Sequence, residues 1–296
     1  MTLAPIVLFV YNRIEHTKKT IEALQKNTLA NQSELFIYSD ASKDDVNDKK
    51  VKIIRDYIKT IKGFKKIIIT ERDINFGLAK SVMQGVSHVV NKFEKVIVLE
   101  DDIETTPYFL KFMNDALTFY KDDKRIMSIS GYRYPFQIPK NYNKDVFLFY
   151  RTSSWGWATW KDEWESVDFN ISKEHEIFKD KSLQKKFNRG GEDLYGMLIE
   201  QMEGRINSWA IRFALSHAMN DKFGLLPIKS LVQNIGFDLS GTHCEASDEF
   251  NVILDPDFSP KLDEVNLDLE IVKNLQKTFS TSFFKKIKYN IKKIIK

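Results

Sequence analysis

The sequence predicts an α/β fold, in which a mixed, mostly parallel sheet is flanked by helices. Four short apolar segments with little apolar–polar alternation occur in the first half of the chain, at 6–10, 35–38, 67–69 and 96–99. Such segments are typical of strands that are buried on both faces of a parallel sheet. Apolar residues at helical spacing fill the stretches between them. This order of strand and helix is the signature of a right-handed α/β sheet.

The helices are indicated by apolar residues that recur every three or four positions. Three such patterns follow the first three strands, at 14–24, 51–61 and 78–89. The second half is less regular, and its predicted elements are a helix at 107–120, strands at 125–130 and 146–150, and helices at 176–187, 193–203 and 209–219. No linker rich in Pro, Gly or Ser divides the chain. We therefore expect the second half to pack on the first as a lobe.

The composition excludes several classes of protein. Of the 296 residues, 43% are hydrophobic and 29% are charged, which permits a sizeable core and excludes a disordered chain. The single cysteine, Cys244, excludes an intramolecular disulfide and a zinc site built from cysteines. No apolar run is long enough to span a membrane, and the run at 3–10 lacks the basic lead and cleavage site of a signal peptide. We therefore expect a cytoplasmic location.

Basic charge is concentrated at the end of the chain. Residues 283–296 contain six lysines and no acidic residue, whereas the whole chain has a net charge of only +4. The rest is slightly acidic, which disfavours nucleic acid as a partner, because nucleic-acid-binding domains carry a basic face. Four apolar residues of this segment share one face of a helix: Phe284, Ile287, Ile291 and Ile294. This pattern favours peripheral docking on the inner face of the cell membrane, with a solvated chain end as the alternative.

Polar residues follow all four apolar segments of the first half, at 11–13, 39–42, 71–73 and 100–102. Ligands of open α/β sheets bind at the carboxyl ends of the strands, so these residues favour a polar or charged ligand. The alternative is that they are polar because strand ends usually meet solvent.

The clearest local signal is the acidic triplet Glu100-Asp101-Asp102, which directly follows an apolar segment. Three carboxylates this close repel one another, and a divalent cation would relieve the repulsion. Oxygen ligands without nearby His or Cys favour Mn²⁺ or Mg²⁺, whose shell is completed by water and phosphate oxygens. The triplet therefore predicts a site for a metal and a diphosphate, with a solvated acidic turn as the alternative. The sequence contains neither GxxxxGK(S/T) nor GxGxxG, which disfavours P-loop NTPases and conventional Rossmann dehydrogenases.

Taken in order, seven segments resemble the inverting nucleotide-sugar glycosyltransferases of the GT-A fold, at 5–13, 39–42, 75–80, 100–102, 153–160, 208–212 and 234–243. Among these enzymes, the chain is most similar to the family 2-like enzymes of bacterial polysaccharide, capsule and lipopolysaccharide assembly. Its acidic triplet also resembles that of eukaryotic N-acetylglucosaminyltransferase I. The resemblance implies a Rossmann-like GT-A domain at 1–245, with a nucleotide-sugar half at about 1–105 and an acceptor half at about 106–245. A C-terminal extension at 246–282 and a basic amphipathic tail at 283–296 would follow.

The resemblance also implies roles at the nucleotide sugar. The usual family motif is Asp-any-Asp, and its first position is here Glu100, so Asp102 is expected to bind the metal directly. Asp40 would meet the uracil or ribose, and Lys80 would lie near phosphate. The nucleotide-sugar-binding residues implied in this way are Tyr11, Asn12, Arg13, Asp40, Asn75, Lys80, Glu100 and Asp101. Some GT-A enzymes use a late histidine as a further metal ligand, which makes His243 a candidate.

A carboxylate base is implied by the segment at 190–194, which resembles the family's Glu-Asp segment. Asp193 is the predicted catalytic base, with Glu192 as the second choice. The alternative is that both acids simply begin a helix, where its dipole favours them.

Tryptophans mark the predicted acceptor site. Sugars stack their C–H faces on aromatic rings, so Trp155, Trp157 and Trp209 are predicted to bind the acceptor, and Gly156 would let a loop at 153–160 close on the donor. The alternative is that these large side chains only fill a core.

Together these observations predict a metal-dependent, inverting glycosyltransferase. It would move a hexosyl or N-acetylhexosaminyl group from a nucleotide sugar, with UDP as the implied carrier, to a hydroxyl of a cell-surface glycan or lipid-linked glycan. Two alternatives remain: a sugar-nucleotide nucleotidyltransferase and a non-catalytic module that binds glycan or nucleotide.

Overall fold

An eight-stranded mixed sheet lies at the centre of the computed structural model, which describes residues 2–172, 174–238 and 250–280. The strands are β1 (Ile6–Val10), β2 (Glu34–Ser39), β3 (Lys66–Glu71), β4 (Lys95–Glu100), β5 (Ile103–Thr105), β6 (Ile126–Ser130), β7 (Val146–Phe149), β8 (Trp157–Trp160), β9 (Phe223–Pro227) and β10 (Val232–Asn234). The helices are α1 (Ile14–Gln25), α2 (Asp45–Ile58), α3 (Gly77–Phe93), α4 (Phe109–Phe119), α5 (Lys161–Glu165), α6 (Lys181–Phe187), α7 (Leu194–Met202), α8 (Trp209–Met219) and α9 (Leu269–Thr278). In these parts of the chain, no helix is both long and apolar enough to cross a bilayer.

The large sheet has the strand order β3-β2-β1-β4-β8-β6-β9-β7. Strands β7 and β8 run against the other six, as their antiparallel pairing with β9, β4 and β6 shows. Strands β5 and β10 form a separate antiparallel pair. The predicted fold class, a mixed and mostly parallel sheet flanked by helices, is therefore confirmed.

The central strands are buried on both faces, as their continuous apolar sequences predict. Along β1, Ile6 and Leu8 point into one core with residues of α1, α2, α4 and α9. Val7 and Phe9 point into the other core, which α3, α5 and α8 cover. Helices on both faces leave the carboxyl ends of β1, β2 and β4 as the open edge where chemistry can be placed.

Two local predictions were wrong. The predicted helix at 176–187 is a 3-10 turn followed by α6, because Asp180 accepts hydrogen bonds from the backbone N–H groups of Ser182 and Leu183 and starts a new helix. The predicted loop at 153–160 ends in β8, which lies between β4 and β6. Only the residues before Trp157 are therefore outside the sheet.

The part of the C-terminal extension that the structure describes, 250–280, packs on the main core. Ile271 and Leu275 of α9 are fully buried there, and Phe279 is 7% exposed. His243 and the basic tail at 283–296 lie outside the described residues.

Candidate functional site

The acidic triplet lies where β4 ends, beside the end of β1. Arg13 follows β1, and its Nη2 lies 2.5 Å from Asp101 Oδ1 and 2.8 Å from Asp102 Oδ2. Both carboxylates are almost fully buried. Arg13, predicted to border the nucleotide, thus also holds two of the three acids in place.

One arginine does not balance three neighbouring acids, of which Asp101 and Asp102 are buried. The pKa of Glu100 is raised to about 8, first by burial and then by repulsion from Asp102 and Asp101, against the opposing effects of Arg13 and a hydrogen bond from Trp209. The pKa of Asp101 is raised to about 6, mainly by burial. Arg13 opposes this rise, and repulsion from Asp102 adds to it. The site therefore favours binding of additional positive charge.

A divalent cation fits this arrangement. Asp102 Oδ1 is buried and accepts no hydrogen bond from any residue that the structure describes. Within the described ranges, no group of three or more His, Cys, Asp or Glu side chains is arranged to hold a metal. The chain thus offers a free carboxylate oxygen and negative charge, and most of a cation's shell would come from water and diphosphate, as is usual for Mg²⁺.

Residues 234–238 form a roof over Asp102. The backbone N–H of Ile235 donates to the Asp102 carbonyl oxygen at 2.9 Å, and Gly236 N donates to Asn234 Oδ1 at 2.7 Å. A Cβ on Gly236 would lie 2.2 Å from Asp102 Oδ2. His16 Nε2 holds the end of the roof, 3.2 Å from Asp238 Oδ2. This segment belongs to the family resemblance at 234–243, but no role at the acidic triplet was predicted for it.

On the nucleotide side of the site, the Asp40 carboxylate holds the backbone turn that precedes α3. Its Oδ1 accepts a hydrogen bond from the backbone N–H of Phe76 at 2.9 Å, and its Oδ2 accepts one from the backbone N–H of Gly77 at 2.9 Å. The residue is 7% exposed. Asn75 Nδ2 donates to the Ala41 carbonyl oxygen at 2.6 Å. The Asp40 oxygens thus hold the turn before α3, and their contact with uracil or ribose stays a prediction.

Tyr11 and Asn12 contact the segment that leads into α2, whereas Lys80 lies beside Phe76. Asn12 Nδ2 donates to Asn47 Oδ1 at 2.6 Å, and Tyr11 Oη accepts from the backbone N–H of Lys43 at 3.1 Å. Lys80 is exposed, and its Nζ lies 4.4 Å from the centre of the Phe76 ring.

A second cation, Arg72, also lies against the Phe76 ring; the sequence placed it among the polar strand-end residues at 71–73 but predicted no specific role for it. Arg72 is almost fully buried, and its Cζ lies 4.1 Å from the Phe76 ring centre. No local motif marks this arginine, because the ring that it contacts belongs to the next turn of the chain.

A pocket of about 370 Å³ contains most of the predicted acceptor site. Its lining includes Asp193, Trp155 and Trp209, together with Arg151 and Phe279. The three predicted residues are thus brought together. The two others were missed, since neither lies in a recognisable motif.

Trp157 does not belong to this pocket. It is 1% exposed and packs between Trp209, at a ring distance of 4.9 Å, and Trp164, at 5.5 Å. As a residue of β8 it is a core side chain, so its predicted role as an acceptor platform is corrected.

Trp209 joins the two halves of the site. It lines the acceptor pocket, and its side chain interacts with Glu100, lowering the pKa of that carboxyl against the larger effect of burial. The acidic triplet and the acceptor pocket therefore share a wall.

Asp193 does not cap its helix with its side chain, although it precedes α7. Arg151 Nη1 instead donates to both carboxylate oxygens, at 2.7 and 2.9 Å. Glu192 is exposed and is not among the residues that line the pocket. The geometry therefore favours Asp193 over Glu192 as the group that meets an acceptor.

Comparisons with known proteins identify a family for this chain. A model of the family described as glycosyl transferase family 2 matches residues 6–177. The alpha-1,3-mannosyl-glycoprotein 2-beta-N-acetylglucosaminyltransferase of Arabidopsis thaliana is 24% identical over 178 residues, which are 56% of this chain and 39% of the relative. The chain thus spans well under half the length of that relative.

Two solved structures resemble the fold. S. aureus TarS is 13% identical with a TM-score of 0.44, over 77% of this chain and 36% of that chain. Mannosyltransferase PcManGT from Pyrobaculum calidifontis, in complex with GDP-Man and Mn2+, is 12% identical with a TM-score of 0.40, over 74% and 69% of the two chains.

Proposed function

The chain belongs to glycosyl transferase family 2, and from this premise we propose that it is a metal-dependent, inverting glycosyltransferase. It moves a hexosyl or N-acetylhexosaminyl group from a UDP-sugar to a hydroxyl of a cell-surface glycan or lipid-linked glycan intermediate. The observation that carries the proposal is the shared wall formed by Trp209. Trp209 lines the pocket that contains the Asp193 carboxylate, and its side chain also interacts with Glu100 of the acidic triplet.

The proposed reaction needs one proton acceptor from the chain. Asp193 takes the proton of the acceptor hydroxyl as that oxygen attacks the anomeric carbon. The new glycosidic bond forms on the face opposite the breaking bond to the diphosphate, so the configuration at that carbon is inverted. The transition state has oxocarbenium character, as in glycoside hydrolysis.

The triplet serves the other end of the donor. Asp102, through its free Oδ1, would hold Mn²⁺ or Mg²⁺, with Glu100 and Asp101 contributing negative charge. A bound cation would stabilise the departing diphosphate by its charge. Arg13 and the roof at 234–238 keep the Asp102 carboxylate oriented.

A nucleotidyltransferase is a weaker proposal for this chain. Such an enzyme needs a Gly-rich, basic loop after its first strand, whereas only residues 11–13 separate β1 from α1. A non-catalytic binding module would have no need for the pairing of Asp193 with a buried arginine inside the pocket.

A thermal-shift titration tests the donor site. UDP, GDP, CDP and ADP are added with and without Mn²⁺ to the wild type, to Asp102→Ala and to Asp122→Ala. Asp122 is the matched control, because its side chain is 87% exposed. We expect UDP with Mn²⁺ to raise the Tm of the wild type and of Asp122→Ala by about 4–8 °C at about 100 times the Kd, since such binding stabilises by about 2.7 kcal/mol.

Asp102→Ala is expected to show no such shift. A shift that needs no metal, or that is equal in Asp102→Ala, would remove the triplet from the proposed mechanism. No shift with any nucleotide would favour the glycan-binding module instead.

We also propose that the basic tail at 283–296 docks on anionic membrane. Deleting the tail is expected to abolish most co-sedimentation with vesicles that contain phosphatidylglycerol, because each lysine near such a surface contributes about 1 kcal/mol. Transfer to a soluble acceptor should not change. A variant with the six lysines replaced by glutamine separates charge from length, and equal vesicle recovery in all three proteins would reject the docking.

A further inference from the structure

Arg151 is enclosed by side chains from three separate parts of the chain. Its Nη1 pairs with Asp193, while its Cζ lies 4.2 Å from the centre of the Phe279 ring and 5.9 Å from that of Tyr134. Only 15% of its side chain is exposed. The guanidinium therefore has a carboxylate on one side and an aromatic face on another, which restricts how it can turn.

Gly191 shows how tightly these groups converge. A Cβ at this position would lie 2.5 Å from Asp193 Oδ1, 2.8 Å from Arg151 Nη1 and 3.0 Å from Phe279 Cβ. Its φ of +147° is also one that favours glycine. A single residue without a side chain thus lies at the point where the carboxylate, the arginine and the phenylalanine meet.

Phe279 is placed there by α9. Three side chains of this C-terminal segment donate to backbone carbonyls of the loops that frame the pocket, namely Thr278 to Pro135 at 3.1 Å, Gln276 to Arg189 at 3.0 Å and Asn274 to Gln137 at 3.1 Å. Buried Ile271 and Leu275 anchor the other face of the helix. The segment is therefore docked on the pocket by both polar and apolar contacts.

We propose that Phe279, carried by α9, is a positioning residue for the transfer reaction, because its ring fixes Arg151 and Arg151 in turn fixes the Asp193 carboxylate. The inference rests on the proposed role of Asp193 as the base. The Asp193 oxygens meet a single nitrogen of Arg151, whereas a freely turning guanidinium can pair with a carboxylate through two nitrogens. The Phe279 face opposes that rotation and leaves the carboxylate oriented toward the pocket. The C-terminal helix α9 then contributes directly to the geometry of the acceptor site.

The test compares Phe279→Leu, Phe279→Tyr and Leu275→Ala with the wild type. UDP release is measured from UDP-N-acetylglucosamine, UDP-glucose and UDP-galactose with p-nitrophenyl glycosides as acceptors, and kcat, donor KM and the Tm are recorded. Phe279→Leu is expected to lower kcat about tenfold and to leave donor KM unchanged. This loss is smaller than the roughly 10²-fold cost of a 1 Å misplacement, because the carboxylate is loosened rather than moved.

The two other variants separate positioning from folding. Phe279→Tyr keeps the ring face and should retain kcat within about twofold of the wild type, since the stacking contact is preserved. Leu275→Ala removes a buried side chain from the same helix and should lower the Tm while kcat stays within about twofold of the wild type. If Phe279→Leu melts below the assay temperature, Arg151→Lys gives the same test, because lysine keeps the charge but lacks the flat stacking group.

The outcomes distinguish this inference from the function on which it rests. A wild-type kcat in Phe279→Leu, with an inactive Asp193→Asn, would leave the base in place and overturn the positioning role. A fully active Asp193→Asn would instead overturn the proposed base. Absence of UDP release from every donor would count against the proposed function itself.

Discussion

Asp193→Asn is expected to lower kcat for sugar transfer by about 10²–10⁴-fold, which is the range that a positioned general base contributes. Asparagine has nearly the same shape, and its amide oxygen can still accept a hydrogen bond from Arg151. It cannot take the proton of the acceptor hydroxyl. The rate is measured as UDP release under saturating donor, so that the change reports the chemical step rather than binding.

The adjacent acid supplies the control. Glu192→Gln makes the same chemical change one residue away, on a side chain that is exposed and does not line the pocket. We expect its kcat to stay within about twofold of the wild type, as is typical of exposed positions away from the chemistry. The nucleotide-dependent shift in Tm should be intact in both variants, because the triplet is unaltered. Equal losses of kcat in the two variants would contradict the assignment of the base to Asp193.

The sequence predicted the first half of the sheet well, since each strand there carries its own signal. Residues 6–10 coincide with β1, and the other three apolar segments lie within β2, β3 and β4. A strand buried on both faces must be apolar throughout, whatever its neighbours are. The position of the acidic triplet at the sheet edge follows from this pattern alone.

Strand β8 was missed because its surroundings, and not its residues, make it a strand. Trp157–Trp160 follows Gly156 and two serines, which are typical of a loop. Its neighbours β4 and β6 are distant in sequence. The hydroxyl of the buried Thr159 donates a hydrogen bond to the Met127 carbonyl oxygen at 2.7 Å. A pattern of local spacing contains no information about such partners.

The same limit applies to the site. Asp40 is a polar residue after a strand, which favoured a ligand contact, but its partners are backbone N–H groups 36 and 37 residues further along. Arg151 meets Asp193 across 42 residues. Motifs predicted which acids belong to the site, whereas the groups that hold those acids are set by tertiary packing.

Gly236→Ala is expected to disable the donor site. The added Cβ would lie 2.2 Å from Asp102 Oδ2 and 2.9 Å from Arg13 Nη1, so the roof or the carboxylate has to move. The φ of Gly236 lies outside the left-handed region, so alanine is compatible with the backbone and the conflict is purely steric. We expect kcat/KM to fall by about 10²-fold or more, as for a misplacement of about 1 Å. Stability should fall by about 1–3 kcal/mol from overpacking.

Gly196→Ala is the matched control for this substitution. Gly196 lies in α7, and a Cβ there would meet nothing within 4 Å. Alanine should stabilise the helix by up to about 1 kcal/mol and leave transfer unchanged. The readouts are the Tm with and without UDP and Mn²⁺, together with UDP release. If Gly236→Ala kept the wild-type ligand shift, residues 234–238 would not pack on Asp102 in solution, and the orientation of that carboxylate would need another source.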